Sequence, residues 1–361
     1  MRILGLDPPE KYRVLYQVYS ICLNTTITFY YPLSMFINMF LLDKKKEVVS
    51  NLTLTISMVV CGMKTFNNYL KRKELWKIRE YLVQLDSEVK FEVDKEYLEY
   101  MEKVSFRYFV LYASMYGLVI ATCEFPMLFA TESRLLYPAW FPWDWKKSSR
   151  TYVAIHSYQL IGIIIQIYQN LLNDTLPGIL MWLLKGYLHV QEARIERIGY
   201  DENASDEENY NELVACVKSH KICSMCRLLV YRYAFLCQLN GCGELTNRPH
   251  TQIMRHGQLI NCGIFRLSKA KTLLYAKSKV TNSMQKSNEM ADETYHFTTA
   301  LYQCNWMDQN LKFRKVLIIF MQHSQKPWTI FAGGVIGVTL STWMTVLKSA
   351  YSLFAVLNRV A

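Results

Sequence analysis

The amino-acid sequence predicts an all-α, polytopic membrane helical bundle, with its N-terminus cytoplasmic and its C-terminus extracellular. Three observations carry that reading: long apolar blocks, little charge inside them, and an uneven placement of Lys and Arg between them. Of 361 residues, 51% are hydrophobic, 14% aromatic and 20% charged, which excludes intrinsic disorder. Ten Cys in a chain of this length are too few for a small disulfide scaffold. The mean hydropathy of +0.02 hides how strongly the apolar residues cluster.

A hydrocarbon core about 30 Å thick takes about 20 apolar residues of helix. The first block, Tyr19–Leu42, has no charge at all. Asn51–Leu70 carries only Lys64, and Ser105–Ala130 only Arg107 and Glu124. The fourth, Tyr152–Leu184, is longer and holds Asp174 and Pro177. Trp328–Leu357 closes the series with Lys348 as its one charge. Leu228–Gly243 is weaker: it contains Arg232, ends in Asn240-Gly241-Cys242-Gly243, and is too short to cross. At the front, Asp7, Glu10, Lys11 and Arg13 precede an apolar stretch too long for a signal peptide. It reads as an anchor that stays.

Lys and Arg decide the orientation. With a cytoplasmic N-terminus and a non-spanning weak segment, 28 of them face the cytoplasm and 8 face outside. If the weak segment crosses, the split becomes 18 against 18. The positive-inside rule selects the first arrangement. That orientation is the reverse of G-protein-coupled receptors, and the chain has neither Asn-Pro-x-x-Tyr nor Asp-Arg-Tyr. The net charge of +11 then belongs to cytoplasmic loops facing anionic lipid, not to a nucleic-acid site.

The C-terminal third holds the most specific text. It contains Ala300-Leu301-Tyr302-Gln303-Cys304-Asn305-Trp306-Met307-Asp308, then Gln325-Lys326-Pro327 ahead of Ala332-Gly333-Gly334. It ends in Ser349-Ala350-Tyr351-Ser352-Leu353-Phe354-Ala355-Val356-Leu357. These elements, with the inverted topology and long fourth helix, resemble the insect odorant receptor family. Residues 1–227 fit by layout, the last sixty by motif. The resemblance implies a seven-helix fold with transmembrane ligand-binding helices over 1–184, a cytoplasmic anchor region over 185–326 and a terminal pore-lining helix over 327–361. It implies no cofactor and no catalysis. It also implies a receptor in the plasma membrane of olfactory neurons, assembling with a shared odorant co-receptor as a hetero-tetramer and binding a small volatile organic molecule.

The chain departs from the family between helices four and seven. His220-Lys221-Ile222-Cys223 runs almost directly into Cys237-Gln238-Leu239-Asn240-Gly241-Cys242-Gly243-Glu244-Leu245. Helices five and six are therefore expected to be shortened. The basic, patternless run 247–279 reads as an insertion, such as translated intron, or else as a genuine loop. Family-like text resumes at Ser283.

Ligand contacts are expected on the outer halves of helices two to four. Tyr152, His156 and Gln159 share a helical face, as do Tyr112, Tyr116, Val119 and Cys123, with Met58 within reach on helix two. A volatile ligand offers apolar area and at most a hydrogen bond or two, so an aromatic cavity with few polar groups suits it. On the terminal helix, Val356 and Val360 match the family's hydrophobic gate, which closes a pore by dewetting. Arg359 marks the external end beside them. Trp306, Phe313 and Leu317 repeat at helical spacing as a packed anchor face. Cys216, His220, Cys223 and Cys226 have metal-like spacing but read as reduced thiols on one cytoplasmic helix. Hydrolase, zincin and phosphate-loop motifs are missing from the sequence. A membrane transporter is a weak alternative, because the chain shows no internal repeat. A non-conducting receptor variant lacking part of helices five and six is a second alternative.

Overall fold

The described residues of the first four apolar blocks lie in helix, apart from the turn at Leu41. The computed structural model describes residues 11–41, 45–128, 135–238, 285 and 288–326, and single or paired positions among 328–352. Helix α1 is Arg13–Leu23 and α2 is Tyr30–Phe40, joined by a π-helical stretch, Asn24–Phe29. Then come α3 (Lys45–Leu70), α4 (Arg72–Ser87), α5 (Glu92–Leu128), α6 (Ser149–Glu196) and α7 (Asp206–Gln238). A helix over 288–303, here α8, precedes α9 (Leu311–Ser324). In the last block Phe331–Ala332 (β1) pairs antiparallel with Ile336–Gly337 (β2). Gly333 and Gly334 disfavour helix between them. The weak segment is not separate, since its first half continues α7 as far as Gln238. The run 247–279 lies outside the described residues.

The π-helical stretch has a local cause. Asn24 Nδ2 donates to the Ser20 carbonyl at 2.8 Å and Thr26 Oγ1 to the Cys22 carbonyl at 2.8 Å. Such back-bonding competes with the i→i−4 ladder and loosens it. The Tyr30 N–H then donates five residues back, to Thr25.

Described residues up to 72 and over 109–175 form one compact unit, and those over 73–108, 176–238 and from 285 onward form a second. Helices α5 and α6 supply residues to both. Unit one buries a row of polar side chains beside its apolar core and exposes large apolar side chains. It buries Gln159, Gln166, Gln169, Asn173, Asn68 and Lys64. Val14, Leu15, Phe29, Phe40 and Phe66 are exposed. Water as the outer solvent would reverse that distribution; hydrocarbon favours it.

Among the described residues, no helix is long and apolar enough to cross a membrane. The apolar blocks are interrupted by polar residues, and α6 shows how. Its Gln166, Gln169, Asn173 and Asp174 lower the average hydropathy, and each of them is hydrogen-bonded to another helix. A polar side chain paired inside a bundle does not meet lipid, yet an average counts it as though it did.

Unit two packs apolar stripes. Leu213, Cys216, Cys223, Cys226 and Val230 are buried along α7, and Phe313, Leu317 and Phe320 along α9. Asn310 caps α9, accepting from the Phe313 N–H at 2.9 Å. After α6 the chain turns at Gly199, with φ +84°. A Cβ there would stand 2.8 Å from the Asn305 carbonyl oxygen, so only glycine fits without strain. The Asn305 side chain donates to the Gly199 carbonyl at 2.9 Å.

Candidate functional site

Helix α6 supplies the polar spine of unit one. Gln159, Gln166, Gln169 and Asn173 follow one another at helical spacing and are at most 1% exposed. Gln166 Nε2 donates to the Ile27 carbonyl at 3.1 Å, and Gln169 Nε2 to Thr28 Oγ1 at 2.9 Å. Tyr158, beside the spine, donates to the Thr26 carbonyl at 2.6 Å. The irregular ladder of the π-helical stretch leaves those carbonyls able to take a second donor. Lower on the spine, Asn68 and Asn173 are hydrogen-bonded to each other.

Asp174, the next residue on α6, enters a buried ion pair. Lys64 Nζ stands 3.1 Å from Asp174 Oδ1, with side chains 5% and 3% exposed. Tyr116 donates to the other carboxylate oxygen at 3.0 Å. A lone charge in an apolar block is costly until it meets its opposite. In the sequence Lys64 and Asp174 stand as the single charges of their two apolar blocks. The overlooked signal was one opposite charge in each of two otherwise apolar blocks.

Beside the spine lies an aromatic core. Tyr31, Met35, Met58, Ala139 and Ile163 are buried together, with Tyr137, Phe141 and Tyr158 packed against them. The Tyr158 ring lies 6.1 Å from both Tyr31 and Phe141, edge-on to the latter. A Cβ on Gly162 would meet the Tyr31 ring at 3.0 Å, so this glycine lets the ring lie on the helix. Trp140 N–H donates to the Ser34 carbonyl at 3.0 Å. Tyr31, Gly162 and Tyr158 were not singled out from sequence, because nothing in their spacing distinguishes them from ordinary packing.

The residues expected to bind ligand fall into distinct groups. Met58 joins the aromatic core. Gln159 is fully buried, accepts from the Leu136 N–H at 3.1 Å and donates to the Tyr137 carbonyl at 2.9 Å. It pins the segment before α6. Tyr152 and His156 pack ring to ring at 5.7 Å, with Trp145 6.2 Å from Tyr152. Tyr116 turns to Asp174, and Tyr112 is half-buried one turn away on α5. Val119 and Cys123 lie on α5, their side chains outside the described set. The gate residues Val356, Arg359 and Val360 are also outside the described residues.

In unit two, burial pushes the thiols of Cys216 and Cys226 up to about 12 and that of Cys223 higher still. Protonated, buried thiols are poor metal ligands. The spacing that looked metal-like is the core stripe of α7. His220 stacks on Phe297 at 4.5 Å, with Phe320 and Trp328 at 5.3 and 5.2 Å. Burial first, then the charges of Arg227 and His323, push its imidazole down to about 4.

That shift predicts an acid limb. Below about pH 6.5 the unfolded chain takes up the proton and the folded chain does not, so stability falls until about pH 4. His220→Phe keeps the aromatic stack and is expected to flatten that limb. Melting curves across this range test it; an unchanged slope in the variant would refute the assignment.

The expected anchor face resolves into two faces. Phe313 is fully buried and Leu317 is 2% exposed, both inside this chain, while Trp306 is half-buried with its ring 6.1 Å from Tyr302. Phe313 and Leu317 therefore hold the subunit together from within. Ile318 and Ile319, 57% and 59% exposed, form the face left open.

Comparison with known proteins follows the same lines. The family profile described as 7tm Odorant receptor matches residues 44–239 and 283–351. The unmatched stretch 240–282 encloses the run 247–279. Odorant receptor 2a of Drosophila melanogaster is 30% identical, over 98% of this chain and 93% of its own length. Odorant receptor 59a of Drosophila melanogaster is 27% identical over 97% of this chain and 92% of its own. The insect olfactory receptor OR5 from Machilis hrabei has the same fold, with TM-score 0.80 at 16% identity, covering 100% of this chain and 96% of OR5. OR5 in complex with eugenol matches with TM-score 0.72 at 16% identity and the same coverage. The chain belongs to the insect odorant receptor family, whose members are seven-transmembrane receptors and not enzymes.

Proposed function

We propose that this chain is the odour-tuning subunit of a ligand-gated, non-selective cation channel in the plasma membrane. It assembles with the shared odorant co-receptor as a hetero-tetramer around one pore. The observation that carries the ligand reading is the aromatic cluster around Tyr31 and Met58, which lies beside the buried amides of α6. A small volatile organic molecule fits such chemistry. The eugenol complex of OR5, which shares the fold, supports the same ligand class. Met58, Tyr112, Tyr116, Val119, Cys123, Tyr152 and His156 are the contact set, with Gln159 holding the wall behind them through its bonds to the Leu136 and Tyr137 backbone. Ligand bound in the outer membrane half acts through its higher affinity for the open state, and Val356 and Val360 form the gate, with Arg359 at its outer rim. Trp306, Phe313 and Leu317 support the anchor, and Ile318 and Ile319 supply its face toward the next subunit.

Odour-evoked currents from the receptor co-expressed with the co-receptor test this. Tyr116→Ala and His156→Ala are each expected to shift the dose–response curve by about tenfold or more, the loss of roughly one good contact. Unchanged curves in both variants would remove this pocket.

A non-conducting receptor variant is the second reading, favoured by the break in the family match between 239 and 283. Surface expression with the co-receptor, followed by current recording, separates the two, while sequencing the transcript across residues 228–282 tells a genuine loop from an insertion. A transcript that encodes 247–279 as written supports a genuine loop; a spliced form without it supports the insertion.

A further inference from the structure

In unit two, three potential ligand atoms converge on one point. His189 and Glu192 lie one turn apart on α6, and Glu293 lies on α8. His189 Nδ1 is 3.1 Å from Glu293 Oε1 and 3.4 Å from Glu192 Oε2, and the ligand atoms of all three lie within 4.8 Å of one another. An imidazole nitrogen carries at most one hydrogen, which can point squarely at only one of those two oxygens. The cluster therefore has more acceptors than donors.

A second observation concerns Glu192. Its side chain is 9% exposed, and its Oε1 has no hydrogen-bond partner among the described residues. A buried carboxylate oxygen left in that state is costly. A metal ion bound through both oxygens of the Glu192 carboxylate, Oε2 beside the imidazole and Oε1 next to it, would meet both conditions, because it accepts several lone pairs at once. Zinc bound at about 2.0–2.1 Å places tetrahedral ligands roughly 3.3 Å apart, close to the 3.1 and 3.4 Å separations.

We propose that His189, Glu192 and Glu293 form a binding site for a divalent metal ion of the zinc class, which clips α6 to α8. The surroundings suit the role. Lys185 lies 3.8 Å from Glu293 Oε2, which leaves Oε1 turned toward the imidazole. Tyr97 lies against the His189 ring at 4.8 Å and holds its orientation. His189 is 50% exposed, giving the ion a path from solvent and water a coordination position. One nitrogen and two carboxylates suit zinc, whereas calcium and magnesium call for six or more oxygens.

The test titrates Zn2+ into the purified full-length receptor against a competing chromophoric chelator. The unmodified receptor should take up one tight equivalent and melt at a higher temperature with Zn2+ present. His189→Ala and Glu293→Gln should each weaken that equivalent about 100-fold and abolish the melting shift. Equal affinity in the receptor and both variants would overturn the site, as would Ca2+ binding that competes with Zn2+ and survives His189→Ala. If the variants do not fold, Co2+ titrated into the unmodified receptor decides. Visible bands without thiolate charge transfer support the site, while thiolate charge transfer, or no binding, overturns it.

Discussion

Replacing Asp174 by Leu is expected to destabilise the folded receptor by about 3–5 kcal/mol. The change removes the carboxylate facing Lys64 while leaving that ammonium in a site where it is 5% exposed. Tyr116 loses its hydrogen bond to that carboxylate in the same step. Replacing both charges, Lys64→Met with Asp174→Leu, is expected to recover most of the loss, because two matched apolar side chains often pack as well as a buried pair. Tyr116→Phe should cost only about 1 kcal/mol, the net worth of one hydrogen bond. Melting of the purified receptor and its amount at the cell surface are the readouts. A single Asp174→Leu variant as stable as the parent, or a double variant no better than the single, would show that the pair does not hold α3 and α6 together.

Phe313→Ala is the second large effect, at about 3–5 kcal/mol for emptying a fully buried aromatic site. Phe313 lies on the inner face of α9 with Leu317 and Phe320. The subunit itself should fail to fold stably, and assembly should fail with it. Ile318→Ser with Ile319→Ser changes the opposite, exposed face and should leave the subunit's melting temperature nearly unchanged. Co-purification with the co-receptor should nevertheless fall. If the serine variant melts early while Phe313→Ala does not, the inner and outer faces of α9 have been exchanged.

Single positions show where sequence reasoning succeeds. Asp174 in α6 and Lys64 in α3 were visible as lone charges in apolar runs, yet pairing them requires knowing that the two helices touch. Gln159 stood on a face with Tyr152 and His156, which suggested one shared pocket wall. Its amide instead bonds to backbone at Leu136 and Tyr137, because a fully buried amide must satisfy both its donor and its acceptor. Phe313 and Leu317 share one buried stripe of α9, but periodicity does not say whether a stripe faces its own chain or another. His220 and Cys216 show the same ambiguity: spacing of three and four describes a metal cluster and a core stripe equally well.

What the sequence determined alone is the helical character of the first four apolar blocks; the last block, read as one helix, carries the strand pair β1–β2. Apolar runs with little charge make helices of the observed kind, and the terminal motifs place the chain in its family, since both depend on residues near one another along the chain. What only the tertiary structure decided is which side chain meets which. The ion pair between Lys64 and Asp174, the rings around Tyr31 and the meeting of His189 with Glu293 join residues about a hundred positions apart. Such partners are chosen by packing and by the need to satisfy buried charge, and neither leaves a local trace in the chain.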